Sequence, residues 1–314
     1  MGSEGTELRE IEGIGNTIEE KLLEADITSI NQIAQLSPDY LQEKAGIGEA
    51  RSEKIYHKAK KLGVTMSTLE EVGSEQNDME RVTTGLKQLD EMLGGGLFPG
   101  FITGISGEHK SGKTQLIFQL LVEAVKQTGD PAVYIETEPN RFQAERIKEI
   151  AEFDESVYNK IYRIKAYSEN EDVDSLRIQR TAYKAAKEEF EDVSLVAIDS
   201  FVSNFRLSGK YLGRQDLKER GNEIAKHLRM IQSVASEKDC PVLMTLQVMG
   251  NPDGNPYSSK VVTWGGELMH HTITCFIHMK QSKGQLREIQ LKGHPAKPDD
   301  KMLVKITSNG LEPS

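Results

Sequence analysis

Cysteine is nearly missing from this sequence: Cys240 and Cys275 are the only two in 314 residues. Both lie inside apolar runs, Asp239-Cys240-Pro241-Val242-Leu243 and Thr274-Cys275-Phe276-Ile277. Two isolated thiols make neither a disulfide framework nor a metal cluster. Long apolar runs are missing as well. No stretch nears the ~20 residues that a membrane helix needs, and Met1 to Glu10 is polar and acidic, unlike a secretory leader. An excess of positive charge is also missing. Lys plus Arg total 39 against 49 Asp plus Glu, a net charge of −10, so any contact with nucleic acid must come from local patches. These absences argue against secretion and membrane insertion and lead us to expect a reducing, cytoplasmic compartment. What is present, 37% apolar and 28% charged residues, suffices for a packed core in one large domain or two.

Glycine-rich signals divide the chain. Residues 1–62 read as a small all-helical domain, with apolar residues at helical spacing (Ile18, Leu22, Leu23; Ile30, Ile33, Ala34, Leu36). Two short hairpins repeat within it, Gly13-Ile14-Gly15 and Gly46-Ile47-Gly48. Residues 63–80 are polar, and Gly73 to Asp78 reads as an exposed linker. From residue 81 to 314 the pattern changes. Strand candidates at 101–106, 131–136, 194–198, 242–246 and 272–279 alternate with helical runs at 114–127, 145–153, 173–191 and 216–238. Such alternation predicts an α/β core with a central, mostly parallel sheet covered on both faces. After Thr272 the helices stop, and 286–291 and 302–307 read as an antiparallel extension.

The strongest motif is Gly107-Glu108-His109-Lys110-Ser111-Gly112-Lys113-Thr114, which has Walker A spacing between a strand and a helix. Backbone N–H groups at such a helix start wrap phosphates, and the helix dipole favours negative charge there. Lys113 would reach the β- and γ-phosphates of ATP, and the Thr114 hydroxyl would ligate Mg²⁺. Asp199 ends the apolar run Ser194 to Ile198, where an acid can hold Mg²⁺ or its waters. A third strand ends in Glu136-Thr137-Glu138. Alternation puts both carboxylates on one side, so pattern alone does not choose which would activate water. Gln247 ends a fourth strand, where an amide either contacts a γ-phosphate or is simply on the surface.

Two segments suit nucleic acid. Residues 206–220 carry Arg206, Lys210, Arg214, Lys218 and Arg220 against Asp216 and Glu219, a net +3, with Tyr211 among them. Residues 248–264 are rich in Gly, Asn, Pro and Ser and carry Tyr257, Lys260 and Trp264, a composition that suits tracking of a single strand. The first domain is split by charge. Glu7 to Glu43 has nine acids and two bases, whereas Lys44 to Lys61 has six bases and two acids. Gly46 and Gly48 thus open a basic helix, where glycine lets backbone N–H groups approach a phosphate closely. A helical protein-interaction module would have the same pattern.

In this order the motifs resemble the RadA recombinase family, archaeal relatives of bacterial RecA, over nearly the whole chain. The resemblance rests on the paired hairpins, Thr83 to Asp90 before Leu93-Gly94-Gly95-Gly96, and Ser111 to Gln115. It extends through Glu136-Thr137-Glu138 with Glu145-Arg146, the basic 206–220 run, His227-Leu228-Arg229-Met230, Gln247-Val248 and Gly265-Gly266. It implies a RecA-like ATPase core behind a helix-hairpin-helix domain, assembling into filaments or rings on single-stranded DNA, with duplex DNA as second partner, and catalysing strand exchange in the nucleoid. It selects Glu138 as the acid that activates water, Arg146 for adenine stacking and Gln247 for γ-phosphate sensing, with Gln115 closing the nucleotide-binding run. It turns residues 206–220 and 248–264 into two DNA-binding loops.

Three departures stand out. The linker has Val64-Thr65-Met66-Ser67 where the family has Phe-x-x-Ala, which adds a strand to the next subunit; its loss suits a paralogue that assists another recombinase. His109-Lys110 replaces an aromatic and a glycine, and Lys110 either adds charge near phosphate or points to solvent. Lys292-Gly293-His294-Pro295 lacks the family's interfacial Asp, so that Lys292 could replace a bound cation.

Overall fold

We describe the protein from a computed structural model, which describes residues 7–62, 68–170, 172–208, 216–250, 261–263 and 267–314. The chain divides into two compact units, Met1–Asp78 and Met79–Ser314. No described helix is long and apolar enough to cross a membrane.

The first unit is helical: a 3-10 turn at Glu7–Glu10, then α1 (Asn16–Glu24), α2 (Ile30–Gln35), α3 (Pro38–Ala45), α4 (Glu49–Leu62) and α5 (Leu69–Asp78). Local chemistry sets its boundaries. Ser29 and Gln32 form a reciprocal capping box on α2, and Ser37 caps α3 ahead of Pro38. Gly46 ends α3 at φ +58°, a left-handed conformation that suits glycine. Leu8, Ile11, Leu22, Ile33, Leu41 and Ile55 fill the core. Residues 73–78, expected to be an exposed linker, are helical within α5; one glycine costs a helix only ~1 kcal/mol, and Leu69, Glu70 and Gln76 are good helix formers.

In the second unit, α6 (Lys87–Leu93) leads into β1 (Ile102–Gly107) and α7 (Lys113–Thr128). Next come β2 (Ala132–Glu136), α8 (Ala144–Ile150), α9 (Glu155–Tyr158), β3 (Ile161–Lys165), α10 (Ser175–Glu188) and β4 (Leu195–Asp199). The chain continues through α11 (Ser203–Leu207), α12 (Leu217–Lys238), β5 (Val242–Gly250), β6 (Val261–Thr263) and α13 (Glu267–Thr272). It finishes with β7 (Cys275–Gln281), β8 (Leu286–Gly293), β9 (Asp300–Thr307) and β10 (Gly310–Pro313). The sheet order is β10-β9-β8-β7-β1-β5-β4-β2-β3, with β6 on β5. From β7 to β3 every neighbouring pair is parallel, whereas β8, β9 and β10 are added antiparallel. This is an α/β fold with a mixed, mostly parallel sheet. The antiparallel extension expected at 286–291 and 302–307 is β8 and β9, while β7 still lies parallel to β1.

Two apolar clusters cover the sheet. One packs α7 against β1, β2 and β7–β9; the other packs α10 and α12 against the opposite face. Gln119, buried on α7, donates to Thr84 O (3.0 Å) and accepts from Leu311 N (2.6 Å). On the other face His227 sits in a box of Tyr183, Phe201 and Phe205, and its Nδ1 has no partner. Burial, reinforced by the charge of Arg180, pushes its imidazole down to about 3.

Candidate nucleotide and DNA site

Strand order decides what converges. With β1 between β5 and β7, and β4 and β2 beyond β5, the C-terminal ends of β1, β2, β4 and β5 face one cavity of about 550 Å³. This is the crevice where open parallel sheets bind ligands. Gly107 through Gln115 form one wall, so the whole predicted phosphate loop lines it. Gly107 has φ +152°, and a Cβ there would lie 2.2 Å from Met279 O, so the backbone approach requires glycine. Ser111 Oγ is buried with no hydrogen-bond partner, an orphaned hydroxyl inside the loop. Together with the amides at the start of α7, it fits a phosphate-bearing ligand.

Lys113 folds back on the loop, and its Nζ donates to Gly107 O and Glu108 O, both at 2.8 Å. Burial holds its ammonium below the ordinary lysine range; Asp199 and Glu138 oppose that shift and Arg141 adds to it. His109 and Lys110 are exposed at the cavity rim, and Lys110 has φ +62°. Three hydroxyls converge on Asp199. Thr114 Oγ1 (2.7 Å) and Tyr134 OH (2.8 Å) donate to Oδ2, and Thr245 Oγ1 (2.5 Å) donates to Oδ1. Burial, with the Asp199 charge behind it, pushes the Tyr134 phenol far above its usual range, so it remains a donor. Thr114 and Asp199 are thus adjacent oxygen ligands of the kind a hard divalent cation takes.

The two acids of β2 separate. Glu136 has no exposed side chain: its Oε1 accepts from Arg141 N and Phe142 N, both at 2.8 Å, and its Oε2 pairs with Arg163 of β3. It ties down a loop. Glu138, 19% exposed, lines the cavity. Its Oε1 accepts from Gln247 Nε2 (3.1 Å) and Ser200 Oγ (3.3 Å), and its Oε2 from Arg141 Nε (2.7 Å), with Arg141 Nη2 in ion-pair contact at 2.6 Å. Gln247 in turn accepts, through Oε1, a hydrogen bond from Arg206 Nη1. Arg206, Gln247 and Glu138 therefore form a hydrogen-bonded chain from the first basic segment to the phosphate cavity.

Other expected residues lie elsewhere. Arg146 is not on the cavity wall; it donates to Gln115 Oε1 (2.8 Å), Thr307 O (2.6 Å) and Ser308 O (2.5 Å), bracing the wall formed by Gln115 and Ile306. Lys218 is exposed near the start of α12, and Arg220 lies one turn in. Lys292 is half-exposed on β8, 3.9 Å from Asp299 Oδ2. Lys210, Arg214 and Lys260, like Val64 to Ser67, lie outside the described residues. In the first unit, Gly46 O accepts from Lys21 Nζ (2.8 Å), and Gly48 O receives Arg51 N and Ser52 N as α4 begins. Arg51, Lys54 and Lys58 line a groove of about 400 Å³ with Gly13, and Lys58 is paired to Glu12. Tyr134, Arg141, Ser200 and Thr245 were not evident from sequence. Of these only Ser200 directly follows a strand; Tyr134 and Thr245 lie inside β2 and β5, and Arg141 is five residues past β2.

Fold and cavity together define a P-loop nucleotide-binding protein of the RecA-like kind. Residues 75–314 match the Rad51 family, and residues 5–61 match the SAM-like helix-hairpin-helix tandem. The chain belongs to the Rad51 family, whose members are ATPases of DNA recombination and repair. The family and the helix-hairpin-helix module both imply DNA binding.

Proposed function

We propose that this protein is a DNA-dependent ATPase that assembles on single-stranded DNA and promotes homologous pairing and strand exchange inside the cell. The observation that carries the reading is the chain Arg206–Gln247–Glu138, because it connects a DNA-facing segment with the carboxylate beside the phosphate loop. Lys113 and the loop amides bind and orient the triphosphate, and Gln247 contacts its terminal phosphate. Glu138 accepts a proton from the attacking water as that oxygen bonds to the γ-phosphorus, and the electron pair of the broken bond leaves on ADP. Thr114 and Asp199 would hold Mg²⁺, which when bound neutralises charge on the β- and γ-phosphates. Gln247 meets phosphate through the Nε2 that otherwise donates to Glu138, and that movement draws its Oε1 away from Arg206, which then grips the DNA backbone; hydrolysis reverses the exchange.

Self-association is supported by β3, an edge strand beside a groove of about 650 Å³ formed with α10 and lined by Ile164, Val173, Ile178, Ala182 and Ala185. An exposed edge is a template for a strand from a second copy. Val64 fills such a groove less than Phe would, at ~25 cal/mol per Å² of apolar area not buried. That substitution favours a second reading, a paralogue that assists another recombinase in short or mixed assemblies. In the first unit, the Arg51–Lys54–Lys58 face serves as a duplex contact.

One paired measurement separates the readings: ATP turnover with and without single-stranded DNA, and electron microscopy of the same mixture. Stimulated turnover with long filaments, both lost in Lys113→Ala, is the expected result. DNA binding with neither stimulation nor filaments selects the accessory paralogue. Strand exchange undiminished in Lys113→Ala refutes the scheme.

A further inference from the structure

We infer that Arg141 is a second cation of the triphosphate site, acting in the same chain as the phosphate loop, and that it trades the Glu138 carboxylate for a γ-phosphate oxygen when ATP binds. This rests on the ATPase reading above and names a residue for the site.

The backbone of Arg141 is built in place. Buried Glu136 takes the N–H groups of Arg141 and of the next residue on one oxygen, and Arg163 holds its other oxygen. Phe142 is packed against Tyr134 and Phe118, with ring centroids 5.3 and 6.4 Å apart. A loop pinned by both a buried carboxylate and an aromatic cluster cannot swing freely, so the Arg141 side chain is delivered to the cavity, whose wall it shares with Lys113 and Glu138.

Glu138 is the one hydrogen-bond partner of the Arg141 guanidinium among the described residues. The planar fork that binds a carboxylate through two N–H groups binds phosphate oxygens equally well. A γ-phosphate brings more negative charge than one carboxylate, and Arg141 and Lys113 are two like charges facing one space, an arrangement that an anion between them relieves. The pairing also has a consequence for Glu138. With Arg141 Nε bonded and Nη2 in ion-pair contact on one oxygen, and Gln247 and Ser200 on the other, three hydrogen bonds and a close positive charge already occupy this carboxylate. Thus engaged on both oxygens, it has little room for a water molecule. Moving Arg141 and Gln247 to the γ-phosphate frees Glu138 for water at the moment hydrolysis needs it. ADP has no γ-phosphate, so with ADP bound the Arg141–Glu138 pair remains closed.

The experiment uses the full chain and its Arg141→Gln and Arg141→Lys variants. Affinities for ADP and for a non-hydrolysable ATP analogue are measured by calorimetry, with kcat and KM for ATP on the same preparations. In Arg141→Gln the preference for the analogue over ADP should fall ~10- to 100-fold, the range for losing a charge-assisted hydrogen bond. ADP affinity should stay within about twofold, since this residue does not touch ADP, and kcat should fall. Arg141→Lys, which keeps the charge without the fork, should recover part of the preference. A fall in kcat with the analogue-to-ADP ratio unchanged would make Arg141 a clamp on Glu138 alone and overturn the assignment, as would equal losses for both nucleotides. If Arg141→Gln does not fold, Arg141→Lys decides: a ratio lowered severalfold supports the exchange, an unchanged one refutes it. A wild-type chain that neither binds nor cleaves ATP removes the ATPase reading and this assignment together, whereas wild-type turnover with an insensitive ratio removes this assignment only.

Discussion

Glu136 and Glu138, two residues apart at one strand end, should fail in opposite ways. Glu136→Ala removes a carboxylate with no exposure that accepts two backbone N–H groups at 2.8 Å and pairs with Arg163. The N–H groups of Arg141 and Phe142 are then left without an acceptor, at about 1–3 kcal/mol each. Arg163 is 40% exposed and can turn to water, so its lost pairing adds little. The sum is ~2–6 kcal/mol, and at ~2–4 °C per kcal/mol for a unit of this size the core should melt roughly 10 °C lower. Glu138→Gln keeps shape and volume on a cavity wall, and its ion pair with Arg141 is partly solvated, so melting should move by no more than ~2 °C. Turnover should nevertheless fall ~10²- to 10⁴-fold, the usual contribution of a positioned proton acceptor. Circular dichroism melts and phosphate-release rates on the same preparations test both halves. A Glu136→Ala protein that melts with wild type, or a Glu138→Gln protein that hydrolyses ATP within about threefold of it, would refute this division.

Two further outcomes are expected. His227 titrates near 6.5 when unfolded but only near 3 when folded, so the unfolded chain binds the extra proton first and stability falls as pH drops from about 6.5 toward about 3. The slope from this group is at most ~1.4 kcal/mol per pH unit. Chemical denaturation from pH 7 to pH 4 should therefore show a shallower loss for His227→Phe, and parallel curves would refute this. Gly107→Ala would place a Cβ 2.2 Å from Met279 O at φ +152°; we expect the loop to be displaced and nucleotide affinity to fall at least ~10-fold by calorimetry, with wild-type affinity as the contrary result.

Much of the core was legible because its signals are local. β1, β2, β4 and β5 are short apolar runs bounded by turn residues, and the phosphate loop has fixed spacing. β3 was missed because an edge strand need not be apolar: Ile-Tyr-Arg-Ile-Lys leaves Tyr162 and Arg163 partly exposed. β10 is short, and α5 was hidden by Gly73, Ser74 and Asn77. The choice between Glu136 and Glu138 was beyond periodicity, since Glu138 lies past the end of β2, where alternation no longer applies. Tyr134 and Thr245 read as ordinary core residues. That both meet Asp199 depends on β4 lying between β2 and β5, a fact of topology and not of spacing. Arg141 reaches the cavity wall because Glu136, which no periodicity links to it, holds the backbone of its loop.

Gln119 joins distant parts of the core, bonding Thr84 ahead of β1 and Leu311 on the last strand from a single amide on the helix that begins with Lys113. A polypeptide threaded from the ribosome N-terminus first cannot complete that helix's packing until Leu311 has emerged. Trimming residues 310–314 would leave a buried amide oxygen without its donor, two turns along the helix from the Lys113 ammonium on the cavity wall.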